Sequence, residues 1–154
     1  MTTIHTTGTL TRLRALATTT PTSIADLRQT AKKQARLLRS LLAGKTPLLT
    51  RLVELIPCLH IETLDQMPVN STSFWGNRRW HIHIHAGHPA RFQHFEALHE
   101  LKHIVDHPLR QRLTSFTDAD WESVADYFAA QVLTPPLRLN SAPQGRRNAY
   151  APSR

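Results

Sequence analysis

Apolar positions recur along this chain with two periods, and the changes between them divide it into elements. Ile24, Leu27, Leu38, Leu41 and Leu42 fall at roughly helical spacing behind Thr22 and Ser23, with Asp26 three residues after the serine. That arrangement reads as a capped helix, which Gly44 stops. A second short helix starts at Pro47 and carries Leu48, Leu49, Leu52, Val53 and Ile56 up to Pro57. The pattern then becomes strand-like. Leu59, Ile61 and Leu64 surround polar residues, Ser71 to Trp75 is a second candidate, and Gly76-Asn77 supplies turn chemistry before a third run, Arg79 to His85. In that third run Trp80, Ile82 and Ile84 point one way and His81, His83 and His85 the other. Gly87 and Pro89 end it.

Helical spacing then returns twice. Phe92, Phe95, Leu98, Leu101 and Val105 make an apolar stripe on a helix predicted from about Ala90 to His107. Thr117, with Asp120 in the reciprocal capping position, opens another whose buried face is Val124, Ala125, Phe128, Ala129 and Val132. Pro135-Pro136 terminates it. The expected fold is α+β: N-terminal helices, a small twisted β-sheet, and two packed helices behind it.

Composition adds boundaries. A chain of 154 residues, 40% hydrophobic and 19% charged, suits one folded domain. Residues 1–20 are rich in Thr and read as a flexible N-terminus, residues 21–136 as the folded unit, and residues 137–154 as a disordered basic tail. The formal charge is +8, but the cations are dispersed. Arg28, Lys32, Lys33, Arg36 and Arg39 share one predicted helix, Arg138, Arg146, Arg147 and Arg154 lie near the end, and no aromatic residues interleave with them. That pattern favours a solubilising role over direct nucleic-acid binding. Cys58 is the lone cysteine, so no intramolecular disulfide forms, which agrees with a reducing compartment. With no signal-peptide pattern and no apolar run near the ~20 residues that span a bilayer, the expected location is the cytoplasm, away from membranes.

The chemistry concentrates in His99-Glu100-Leu101-Lys102-His103, an H-E-x-x-H pattern inside a predicted helix. Residues four apart lie one turn apart on one face, so both imidazoles reach a single ion at ~2.0–2.1 Å. Glu100 is rotated away from the first histidine, in a position for general-base work and not for ligation. Catalytic zinc takes three protein ligands and keeps one position open. His107 shares the face, but eight residues rise ~12 Å along a helix, too far for a common ion. A metzincin would need Gly and His where Asp106 and Leu109 stand. Glu122, on the following helix, is the remaining candidate, with Asp126 four residues on to accept the free N–H of a ligating histidine.

The segments HFEALHELKHIV (94–105) and WESVADYFAAQVLTP (121–135), with Arg79 to Ile84 before them, resemble the ImmA/IrrE family of metallopeptidases over about residues 45–136. The resemblance implies a gluzincin-type, zincin-like arrangement in which the H-E-x-x-H helix packs against a Glu-bearing helix. It implies one Zn2+ per chain at His99, His103 and Glu122, and Glu100 as catalytic acid/base. It further implies a protein substrate, a helix-turn-helix transcriptional repressor. Family members continue past the Pro-ended helix with more folded sequence, whereas Leu137 to Arg154 reads as a degenerate tail.

Three expectations complete the reading. The substrate would lie extended along Arg79 to His85 at an exposed sheet edge. An oxyanion or substrate contact would come from His81, His83, His85, Tyr127 or Tyr150. The His81/His83/His85 row also reads as the solvated face of a strand or a second metal site. Two rival classes stand beside the peptidase: a catalytically impaired, shortened member acting as a regulatory binding protein, and a basic nucleic-acid-binding protein.

Overall fold

Helix capping sets the frame. In this computed structural model, which describes residues 7–134, the five helices among those residues are α1 (Thr9–Ala15), α2 (Ile24–Leu42), α3 (Leu48–Leu55), α4 (Ala90–Arg112) and α5 (Asp118–Leu133). The strands are β1 (Leu59–Leu64), β2 (Ser71–Gly76) and β3 (Arg79–His85), so the fold is α+β. Ser23 caps α2 by accepting from the Asp26 amide at 3.2 Å. Thr117 and Asp120 form the expected capping box on α5, at 3.1 and 2.8 Å, satisfying donors that the helix start leaves without partners. Pro47 serves as the N-cap of α3, one position earlier than expected.

The strands form one mixed sheet in the order β1-β3-β2, with β1 parallel and β2 antiparallel to β3. Gly76 pairs with Arg79, so the loop between β2 and β3 is Asn77-Arg78 and not Gly76-Asn77. Both loop residues have positive φ, 50° and 60°, the mirror-image turn that matches strand twist. Alternation along β3 holds: Ile82 and Ile84 are fully buried, while His81, His83 and His85 stand on the opposite face. β3 is the central strand, paired on both sides, which overturns the expectation that it offers a free edge.

Helix α4 continues beyond His107, through Pro108, to Arg112. A proline inside a helix has no N–H, so the carbonyl four residues earlier, Ile104, loses its usual donor. Arg14 of α1 supplies one: its Nη2 donates to Ile104 O at 2.7 Å, and its Nε to Val105 O at 3.3 Å. Residues 1–20 are therefore not all unpacked, because Thr9–Ala15 is helical and Leu13 is fully buried in the core. The Thr-rich composition hid one apolar anchor and one specific donor. The expected tail, residues 137–154, and Tyr150 lie outside the described residues.

Helix α2 packs along α5, and Leu27, Ala31 and Leu38 share one core with Phe128, Val132 and Leu98. Arg39 donates to the Gln131 and Val132 carbonyls at the C-terminal end of α5, where a helix presents acceptors and partial negative charge. Lys102 is buried inside this core. Its ammonium donates to Asp106 Oδ1 at 2.6 Å and Gln34 Oε1 at 2.7 Å, and Gln34 Nε2 donates to Leu13 O at 3.0 Å. No helix among the described residues is long and apolar enough to cross a membrane.

Candidate metal centre

Three side chains from the α4–α5 pair converge on one point. His99 and His103 sit one turn apart on α4, their rings at 76° with centroids 4.8 Å apart and their Nε2 atoms 3.1 Å apart. Glu122, on the second turn of α5, faces both: Oε2 lies 2.9 Å from His99 Nε2 and Oε1 2.9 Å from His103 Nε2. The ligand atoms all lie within 4.8 Å of one another. The capping box matters here, because it fixes where α5 begins and therefore which way Glu122 points.

Asp126, one turn beyond Glu122, accepts from His99 Nδ1 at 2.8 Å. An ionised carboxylate only accepts, so Nδ1 carries a ring proton, and in the neutral ring Nε2 then presents its lone pair to the centre. Burial pushes His103 below the ordinary histidine value; Glu122 pulls the other way, and the neighbouring His99 adds to the fall. The neutral imidazole is the form that ligates a metal. Two imidazole nitrogens and a carboxylate facing one another at 2.9–3.1 Å need a proton or a cation among them. The donor set, two nitrogens and a carboxylate, thus fits a divalent ion with an open fourth position.

Glu100 lies next to this point without joining it. It is buried, and its Oε1 accepts from Ser71 Oγ at 2.9 Å. Ser71 is the first residue of β2, so the sheet edge and the H-E-x-x-H helix are tied at the carboxylate. Sequence reading missed Ser71: a serine opening a strand carries no signal of its own. It also missed the His88–Glu96 pair, in which His88 Nδ1 lies 2.6 Å from Glu96 Oε1 while Glu96 Oε2 is buried without a partner among the described residues.

The remaining candidates fall elsewhere. His81 is stacked on Phe74 and bonds Gly76 O at 2.9 Å, His83 lies 3.8 Å from Glu62, and His85 stacks on His88. All three occupy the sheet face turned away from the Ile82 and Ile84 side, and none lines a cleft beside the triad. Tyr127 is half-buried against the core with the Arg28 guanidinium 5.8 Å over its ring, and it too stays out of the clefts. His107 sits by Trp80 at the far end of a groove, as the helical rise requires.

The family model described as the IrrE N-terminal-like domain, a peptidase family, matches residues 58–152. The chain belongs to that family. No curated protein and no solved structure matches it. The segment of this IrrE-like chain that matches includes α4 and α5 and all three converging side chains. It leaves out α1, α2 and α3, which complete the core behind them.

Proposed function

We propose that the chain is a zinc-dependent endopeptidase that hydrolyses a peptide bond in a protein substrate. The convergence of His99, His103 and Glu122 at one point, beside a buried Glu100 that takes no part in it, supports this reading. His99, His103 and Glu122 would hold the ion, with Asp126 holding the His99 ring in its ligating tautomer. When bound, zinc supplies a Lewis acid that polarises a carbonyl and acidifies water at neutral pH.

The chain's own groups do the rest. Glu100 takes a proton from the attacking water and passes it to the leaving amine. Ser71 holds the Glu100 carboxylate in one orientation through its 2.9 Å bond. The substrate adds as a strand to the outer edge of β2, the edge nearest Glu100; among the described residues β2 pairs only with β3. By family resemblance the substrate is a helix-turn-helix repressor; the lone Cys58 agrees with a reducing compartment, the cytoplasm.

Metal analysis of the purified protein tests the reading. The wild type should carry one zinc per chain and Glu122→Ala far less. Equal zinc in both would remove the glutamate from the site and the gluzincin assignment with it.

A further inference from the structure

The outer face of the sheet collects imidazoles from two strands. The parallel register sets His60 of β1 beside His81 of β3, and Glu62 beside His83. Side chains two apart share a face, so all four stand opposite the buried Ile82. Glu62 is the centre of the group: its Oε2 lies 3.8 Å from His60 Nε2 and 3.8 Å from His83 Nε2. His81 backs the other two rings. Its own ring is fixed by stacking on Phe74 and by the bond between Nε2 and Gly76 O, and it meets His60 and His83 edge-on, with centroids 5.5 and 6.4 Å away.

We infer that His60, Glu62 and His83 form a second metal site, which takes a divalent transition ion of the zinc class and staples β1 to β3. Two imidazole nitrogens and a carboxylate oxygen are donors that such ions favour. Donors held at ~2.0–2.1 Å by one ion lie about 3.3 Å apart, so the ion has to draw the side chains in and turn the two rings toward each other. Their exposure allows it: the side chains of His60, Glu62 and His83 are 45%, 52% and 21% accessible. The row His81/His83/His85 on one strand offers no such set, because His81 is engaged at Gly76 and His85 stacks on His88. Neither cleft beside the α4–α5 triad includes the cluster, so the inference stands apart from the peptidase reading.

Zinc titration of the full chain tests it, with His103→Ala and Glu122→Ala in place to remove the α4–α5 triad. An exposed site gives up its ion to a chelator, so the protein is first dialysed against one and then titrated in competition with a chromophoric indicator. One equivalent of zinc should bind, and its binding should raise the Tm, because the ion holds the folded state alone. Adding His60→Ala with His83→Ala should abolish both. Glu62→Gln, a milder change on an exposed side chain, should also lose the equivalent while leaving the metal-free Tm unchanged. In NMR spectra zinc should shift the ring signals of His60 and His83 and leave those of His85 and His88 in place.

Absence of zinc binding in the triad-free protein would overturn the assignment, as would binding that survives the loss of His60 and His83. Zinc that moved the His85 and His88 rings instead would place the ion elsewhere and overturn it too. Ring signals of His60 and His83 that followed pH but ignored zinc would give the cluster to imidazolium–carboxylate pairing, with no metal in it. Loss of the α4–α5 site or of cleavage leaves all these outcomes readable, since the titrated protein lacks that site already.

Discussion

Helix α4 carries two polar clusters built on the same spacing, and they have opposite characters. His99 and His103, four residues apart, face Glu122 where clefts open on both sides. Lys102 and Asp106, also four apart, face Gln34 in the sealed core, 1% and 5% exposed. The inner cluster is complete: a cation, an anion and an amide satisfy one another at 2.6–2.7 Å. In the outer cluster Asp126 takes the His99 Nδ1 proton, which leaves two imidazole nitrogens and a carboxylate facing one another, a set that suits a cation from outside. Spacing along a helix thus brings groups together, but their balance of donors and acceptors decides between a structural lock and a binding centre.

Substitutions on the two clusters should therefore fail in different ways. The largest effect belongs to Glu100→Gln. Cleavage should fall on the order of 10²- to 10⁴-fold while zinc content and stability hold. A variant that still cut a good substrate would remove Glu100 from the chemistry. Next comes the inner cluster: Asp106→Ala leaves a buried ammonium without its counter-ion and should lose roughly 3–5 kcal/mol in denaturant unfolding. A loss under about 1 kcal/mol would mean that Lys102 escapes to water or sheds its proton easily. Burial already holds Lys102 below its ordinary value, against the pull of Asp106.

Asp126→Ala addresses the link between the two behaviours. Metal affinity, measured by competition with a chelator, should weaken about 10- to 100-fold, while metal-free stability stays near wild type. An unchanged affinity would show that the His99 tautomer needs no external acceptor. The smallest effect is expected from replacing both inner ions at once. Lys102→Met with Asp106→Leu should lie within about 1–2 kcal/mol of wild type, since removing a whole buried pair is far milder than breaking it. A double variant as unstable as Asp106→Ala alone would argue that Gln34 and the packing around it depend on the pair.

The convergence of His99, His103 and Glu122 was legible in the sequence because it is local. H-E-x-x-H fixes two imidazoles within one turn, and the carboxylate sits early on the next helix, where a capping box sets its direction. Strand β3 was legible to the residue, since alternation assigns faces. Alternation does not assign neighbours, so the central place of β3 could not be read, and the free edge expected there does not exist. Lys102 and Asp106 look in sequence like a solvated pair; their burial depends on Gln34, 68 residues away. Phe92 fitted the period of a core stripe, but its ring stands half exposed on a cleft wall.

Pro108 and Arg14 carry a consequence for modularity. The proline opens a gap in the carbonyl ladder of the H-E-x-x-H helix, and a guanidinium from the first helix closes it across 90 positions of chain. The helix that holds both imidazoles is thus braced by a segment lying outside the stretch that identifies the family. Transplanting the signature region by itself would carry the three converging side chains but leave their brace behind.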